Sequence, residues 1–148
     1  MTRAVFQAGL SWSMIANKWE GFRAAFAEFD VARVANFDEG DIDRLKNDPD
    51  ILRSEKKIRA TIANAKTILA LDEQHGGFRK YLRSFGNYEA LSRDIRKRFK
   101  FMGEMNVWYF LFRTNEAVPD FEAWLPTIPG DHPRMREMVA HAREVGTY

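Results

Sequence analysis

The sequence predicts an all-α protein, and three observations support that class. Apolar residues recur at spacings of three and four along nearly the whole chain of 148 residues. No alternating pattern typical of a strand runs beyond four residues, so we expect no sheet. Glycines, prolines and capping residues divide the helical pattern into short segments. With 45% hydrophobic residues the chain can bury a core, and we expect residues 1–148 to form a single domain.

The first third of the chain carries one long apolar stripe followed by two short capped helices. Asp30 is a plausible N-cap for a short helix through Val34, and Asp38 for a helix that ends near Leu45. Residues 47–50 then stop the helix, because Pro49 cannot continue it. The stripe itself consists of Val5, Ala8, Trp12, Ile15, Trp19, Phe22, Phe26 and Phe29.

The middle and the end of the chain predict a long helix, a hairpin and a final helix. Ser54 opens the clearest helix, which Gly76 and Gly77 end; its apolar face is Ile58, Ile62, Ala65 and Leu69. Two helical patterns meet at a basic turn, so we expect a helical hairpin over about 91–113. After four prolines, a last amphipathic helix is expected over about 133–146, with Met135, Met138, Ala142 and Val145 as its face.

The net charge is only +2, but its distribution is uneven. Residues 28–50 contain eight acidic against three basic residues, whereas residues 79–100 contain eight basic against two acidic residues. This asymmetry favours a polyanion bound to one face of the molecule. A solvated basic face without a partner remains the alternative.

Composition excludes several classes of site. The chain has no cysteine, which excludes disulfides and thiolate zinc sites, and its three histidines are scattered. We therefore expect no metal and no cofactor. No apolar run approaches the ~20 residues of a membrane helix, and the first residues lack the layout of a signal peptide. The expected location is the cytoplasm, with no membrane partner.

The basic turn is the first candidate site. A tight turn that contains Gly103 leaves N–H groups exposed at the start of the second helix, where a phosphate can accept hydrogen bonds from them. Lys97, Arg98 and Lys100 add positive charge. Such a site holds a DNA backbone without reading its sequence. The alternative is an ordinary corner between two helices that happens to be basic.

Trp12 and Gln7 are candidates for binding a base, and Asp120 is a candidate catalytic residue. Trp12 offers a flat ring on which an extruded base can stack, although a tryptophan on an apolar stripe is usually part of the core. Gln7 lies about 140° from Trp12 around a continuous helix, so it would reach the same pocket from the side. Asp120 follows Pro119 and can stabilise a cationic sugar or activate water. Its alternative role is to cap the next helix.

Several short strings, in one order along the chain, resemble a known family. The chain resembles the DNA-3-methyladenine glycosylase I family of the helix-hairpin-helix superfamily over roughly residues 5–121. This resemblance implies an all-helical fold with two lobes, DNA across the cleft, and hydrolysis of the bond between a damaged purine and deoxyribose. Trp12 matches the base-stacking tryptophan of the family, and Asp120 matches an aspartate at the same distance after the hairpin. The matching strings lie at residues 7–12, 22–26, 29–30, 51–53, 57–58, 64–65, 84–85 and 99–103.

The chain departs from the pattern of the family in four places. The family segment that supplies a pocket tyrosine and two zinc ligands precedes the match and has no counterpart here, so we expect an N-terminally shortened relative. The pocket glutamate corresponds to Ala4. The later zinc histidine and cysteine correspond to Phe121 and Leu125, which implies a relative without zinc. The hairpin is one residue shorter, at Arg98.

These observations predict a metal-free DNA glycosylase of base excision repair that acts on an alkylated purine in double-stranded DNA. Two hypotheses of other classes remain open. One is a DNA-binding protein that keeps the hairpin but has lost catalysis, as Ala4 suggests. The other is a helical domain that binds a partner protein and has no affinity for DNA.

Overall fold

The computed structural model describes residues 1–7 and 12–146 of the chain. Within these ranges the protein forms eleven α-helices and no strand, which confirms the predicted class. Two short 3-10 turns lie at Ala27–Phe29 and Leu125–Thr127. Residues 8–11, which belong to the predicted first stripe, lie outside the described residues. The helices are α1 (Thr2–Gln7), α2 (Trp12–Asn17), α3 (Trp19–Ala25), α4 (Val31–Ala35), α5 (Glu39–Lys46), α6 (Glu55–His75), α7 (Phe78–Leu82), α8 (Tyr88–Arg98), α9 (Glu104–Arg113), α10 (Phe121–Trp124) and α11 (Pro133–Val145).

The predicted caps determine where several helices begin. The carboxylate of Asp30 accepts a hydrogen bond from the N–H of Arg33 at 3.0 Å and starts α4. Asp38 and Asp41 form a reciprocal capping box at the start of α5. The Ser54 hydroxyl caps α6 with a single hydrogen bond, which it accepts from the N–H of Lys57. The two glycines predicted to end α6 do so, with Gly76 in the left-handed region at φ 68°.

Helix α6 is the central element of the fold. It packs against α1, α4, α5 and α7 and runs for 21 residues. Ile58, Ile62 and Ala65 are buried as predicted, but the prediction for Leu69 is wrong, because this side chain is exposed. Leu71 is buried instead, since the last turns of α6 pack against α7, which approaches from a different side.

The predicted continuous stripe is interrupted at Lys18, where α2 ends and α3 begins. The Lys18 amine donates a hydrogen bond to the carbonyl oxygen of Pro49 at 2.8 Å. A Cβ atom at Gly21 would lie 2.3 Å from the carbonyl oxygen of Asp50, so only glycine permits this close approach. The docking of α3 on residues 49–50 therefore turns the chain away from the direction of α2.

The last helix, α11, packs on α9 and contributes Met135, Met138 and Ala142 to the core, as predicted. Val145 was predicted to share this face but is 59% exposed, because α11 ends there, beyond the core. Among the described residues no helix is long and apolar enough to cross a membrane.

Candidate functional site

The basic hairpin consists of α8, residues 99–103 and α9. The chain reverses direction at Phe101, whose φ of 55° lies in the left-handed region. The carbonyl oxygen of Phe101 accepts a hydrogen bond from the Asn106 amide at 2.7 Å. Gly103 has an ordinary φ of −80°. A Cβ atom at Gly103 would meet no heavy atom within 4 Å. The glycine is therefore not required by the turn, and it leaves the approach to the first turn of α9 open.

The turn is held in place by Asn64, a residue to which the sequence assigned no role. The N–H of Lys100 donates to the Asn64 side-chain oxygen at 2.8 Å, and the Asn64 amide donates to the carbonyl oxygen of Lys100 at 3.1 Å. Asn64 lies on the buried face of α6 and is 3% exposed. Both hydrogen bonds fix the backbone of the hairpin directly to the central helix.

The start of α9 is an open group of backbone donors. Gly103 is the N-cap and supplies no side-chain acceptor. The first N–H groups of a helix have no intrahelical partner, and the helix dipole adds partial positive charge to them. Such an N-terminus binds an anionic oxygen well.

The basic side chains of the hairpin differ in how strongly they are engaged within the protein. Lys97 and Lys100 are exposed, and no ion pair within the described ranges involves either of them. Arg98 instead pairs with Asp94 at 2.7 Å, which raises the pKa of the guanidinium. Asp94 also accepts a hydrogen bond from the hydroxyl of Tyr81 at 2.7 Å. Part of the charge of Arg98 is therefore used to fix α8 to α7.

Gln7 ends α1 and lies beside the first turn of α9. Its side chain is 6% exposed, and its Oε1 atom accepts no hydrogen bond from the described residues. Gln7 borders an open cavity of about 330 Å³. The other residues that line the cavity come from the start of α9 and from the region around the start of α11: Met105, Asn106, Asp131, His132, Pro133, Arg134, Met135 and Met138.

Lys57 connects the end of α1 with the tip of the hairpin. Its amine donates to the carbonyl oxygen of Phe6 at 3.2 Å and lies 5.9 Å from the centre of the Phe101 ring. Burial lowers the pKa of this amine. Together with Asn64, Lys57 makes α6 the support of both the hairpin and the helix that carries Gln7.

Trp12 begins α2 and is half-buried against α11. Its indole N–H donates to a carboxylate oxygen of Glu137 at 3.2 Å. The ring of His141 lies 4.7 Å from the Trp12 ring, centre to centre, with an angle of 35° between the planes. Trp12 is thus not a fully buried core residue, and it is not fully exposed to solvent either, because α11 covers one side of its ring. The angle expected between Gln7 and Trp12 depends on residues 8–11, which lie outside the described residues.

Asp120 is exposed, and its carboxylate caps α10 through the N–H of Ala123 at 3.0 Å. The capping role that the sequence allowed is therefore confirmed. The hydrogen bond uses Oδ1, and no contact within the described part of the chain engages Oδ2. The structure places Asp120 against its own helix, and the contacts of Gln7 and Trp12 do not include it.

Three of the positions at which the chain departs from the family pattern are apolar and buried. Ala4, Phe121 and Leu125 all belong to the core, so none offers a polar group to a ligand. Among the described residues no group of three or more histidine, aspartate or glutamate side chains is placed to hold a metal ion.

Sequence reasoning missed Asn64, Glu137 and His141. Asn64 gave one usable signal, since a polar residue between buried positions of a helix needs a partner. Glu137 and His141 are separated by one helical turn and share a face, but nothing in the sequence indicates that this face meets Trp12.

The described residues form an all-helical protein with a basic hairpin and an open helix N-terminus beside a cavity. Trp12 does not line that cavity and lies against α11. The family model described as methyladenine glycosylase matches residues 1–106. The chain belongs to this family.

Characterised relatives agree with that assignment. The chain is 32% identical to DNA-3-methyladenine glycosylase 1 of Escherichia coli K12, over 86% of this chain and 79% of the relative. It is 31% identical to DNA-3-methyladenine glycosylase of Haemophilus influenzae, over 71% of this chain and 68% of the relative. The fold is also similar to that of 3-methyladenine DNA glycosylase I from Staphylococcus aureus, in a structure concerned with the recognition of 3-methyladenine. The TM-score is 0.67, with 30% identity, and the match covers 74% of this chain and 70% of that chain.

We expect Asn64→Ala to lower the free energy of unfolding by about 2 kcal/mol, because it removes both hydrogen bonds to Lys100 and leaves a buried cavity. Asn64→Asp keeps the acceptor but places a buried carboxylate against the carbonyl oxygen of Lys100, so a loss at least as large is expected. Urea denaturation measures both variants. Thr67→Ala, which removes a hydrogen bond within α6 itself, is the matched control and should change stability little. Wild-type stability of Asn64→Ala would show that the hairpin does not depend on this residue.

Proposed function

We propose that this protein is a DNA glycosylase of base excision repair, which hydrolyses the N-glycosidic bond of an alkylated purine such as 3-methyladenine in double-stranded DNA. The observation that carries the proposal is the arrangement of the open α9 N-terminus beside a cavity bordered by Gln7, in a chain of the methyladenine glycosylase family. Homologues named DNA-3-methyladenine glycosylase support it.

In this proposal the hairpin holds the DNA backbone. A phosphate accepts hydrogen bonds from the first N–H groups of α9, with Gly103 leaving room for its approach. Lys97 and Lys100 supply the main positive charge, and Arg98 a smaller share because of its bond to Asp94. These contacts position the duplex without reading its sequence.

In this proposal the extruded base stacks on Trp12, and Gln7 offers it a buried acceptor from the cavity beside α9. The side-chain oxygen of Gln7 can accept a hydrogen bond from an amino group of the base, which would satisfy an atom that has no partner among the described residues. The proposal therefore assigns base binding to Trp12 and Gln7.

The chemical step requires little of the protein, because a purine alkylated on a ring nitrogen is cationic and leaves as a neutral base. The oxygen of a water molecule forms a bond to the anomeric carbon while the N-glycosidic bond breaks. The electron pair of that bond goes to the base and cancels its charge. Asp120 stabilises the cationic sugar and takes the proton from water, using the carboxylate oxygen that does not cap α10.

The first test is to incubate the purified chain with methylated duplex DNA and to identify the released bases by chromatography. We expect release of a methylated purine, and a loss of about ten- to a hundredfold in Trp12→Ala, because stacking on an aromatic ring contributes about 1–3 kcal/mol per base. Met14→Ala is the matched control, since Met14 is exposed on the same helix. Release by neither the wild type nor Met14→Ala, with duplex binding intact, would identify a DNA-binding protein without catalysis. Absence of binding at low salt would favour a protein-binding domain.

The two roles of Asp120 are separable by substitution. Asparagine is as good an N-cap as aspartate, so Asp120→Asn should fold normally and still lose about a hundredfold or more in the rate of base release. Asp120→Ala should lose the same activity and, in addition, about 1 kcal/mol of stability. Single-turnover kinetics and urea denaturation measure the two effects. Unchanged release by Asp120→Asn would leave Asp120 with the capping role alone.

The contribution of the lysines is visible in the salt dependence of DNA binding. Each phosphate contact makes the slope of log K against log salt concentration more negative by about 0.9. The double variant Lys97→Gln, Lys100→Gln should therefore have a shallower slope, smaller in magnitude by about 2. Fluorescence anisotropy with an undamaged duplex measures it. Lys66→Gln, an exposed lysine on α6, is the control for loss of charge alone. An unchanged slope in the double variant would place the DNA elsewhere.

A further inference from the structure

Helix α11 lies beyond residues 1–106, which match the family model, yet it borders the cavity beside Gln7 and contacts Trp12. Met135 and Met138 line the cavity beside Gln7. Glu137, which lies between these two methionines in the sequence, and His141, one turn after Glu137, contact Trp12. The site is therefore bounded on one side by a helix that the family model does not describe.

The other side chains of α11 fix its position. Arg136 pairs with Glu122 of α10 at 3.4 Å, and the guanidinium of Arg143 lies 5.7 Å from the centre of the Phe121 ring. Val139 and Ala142 are buried in the core. These contacts direct two arginines of the helix toward α10. The charged side chain of α11 that contacts Trp12 is Glu137, through its carboxylate.

Among the described residues the one aromatic ring that contacts Trp12 is that of His141, so the proposal places the base on the opposite face of the indole. His141 covers one face, and the hydrogen bond from the indole N–H to Glu137 restricts rotation of the ring. A purine stacked on the opposite face would have its nearest ring atoms about 5 Å from the Glu137 carboxylate, a distance at which an opposite charge strongly favours the charged form of a group.

We propose that Glu137 is a specificity-determining residue of the base site, which positions the Trp12 ring and favours a positively charged purine over a neutral one. The inference rests on the proposed function, and it deepens it by assigning the preference for cationic bases to α11. A cationic purine gains from the face of the tryptophan ring and from the carboxylate at its edge, whereas a neutral purine gains from stacking alone.

The decisive variant is Glu137→Gln, because glutamine still accepts the hydrogen bond of the indole but carries no charge. We expect a loss of about tenfold or more in the single-turnover release of methylated purines from duplex DNA, with binding of undamaged duplex unchanged. Glu137→Asp keeps the charge and should recover part of the rate. Glu144→Gln removes a charge from an exposed position of the same helix and should stay within about twofold of the wild type.

A second measurement does not depend on activity. The indole ¹⁵N–¹H resonance of Trp12, assigned by comparison with Trp12→Phe, is followed while 7-methylguanosine, whose imidazole ring is positively charged, or neutral guanosine is added. We expect the wild type to bind 7-methylguanosine at least about tenfold more tightly than guanosine, and Glu137→Gln to lose that preference.

The outcomes separate the two proposals. Release of methylated purines at the same rate by wild type and Glu137→Gln would overturn the role of Glu137 and leave the glycosylase function in place. If the wild type releases no base, the proposed function fails. The titration then decides the inference: a preference for the cationic nucleoside that disappears in Glu137→Gln supports it, and equal or absent shifts with both nucleosides overturn it.

Discussion

The paired hydrogen bonds between Asn64 and the backbone of Lys100 are the interaction on which the proposed site depends. A hairpin between two helices is held at its ends by packing, but its turn is fixed only if backbone groups there find partners. Asn64 provides both a donor and an acceptor to one residue of the turn, from the buried face of the longest helix. The direction in which the first N–H groups of α9 point is thereby set by α6.

Helix α6 also supports the end of α1, which carries Gln7. Lys57, two turns before Asn64, bonds to the end of α1 and approaches the ring of Phe101 at the hairpin tip. The left-handed backbone of Phe101 is costly for a residue with a side chain, so it persists only where neighbouring contacts determine it. Asn106 bonds to the carbonyl oxygen of Phe101, Asn64 fixes the neighbouring backbone of Lys100, and the Lys57 amine approaches the Phe101 ring. We infer that the hairpin tip and the cavity beside Gln7 keep a fixed relation to each other.

The sequence predicted the local features well and the contacts between distant elements poorly. The helix caps at Asp30, Asp38 and Ser54 can be predicted from the sequence, because each capping residue bonds to an N–H only three positions further along the chain. The fold class followed from helical spacing, and the family from strings such as residues 99–103. In contrast, Leu69 and Val145 fit an apolar face but are exposed, since the spacing of residues cannot show where the neighbouring helix ends. The contact of Glu137 with Trp12 joins residues 125 positions apart, and only the tertiary structure provides it.

The presence of Ala4 at the position of the family's pocket glutamate affects the selection of the base more than the cleavage of the glycosidic bond. A cationic purine is already a good leaving group, so the step that breaks the bond is less sensitive to the loss of one pocket group than the step that selects the base. Selection requires a polar or charged group near the extruded base, and a buried alanine cannot provide one. In the proposal, Glu137 of α11 and Gln7 at the end of α1 provide such groups. Because the position of a carboxylate relative to the aromatic ring decides which base is favoured, supplying it from a different helix is expected to shift the choice among alkylated purines while the class of substrate stays the same.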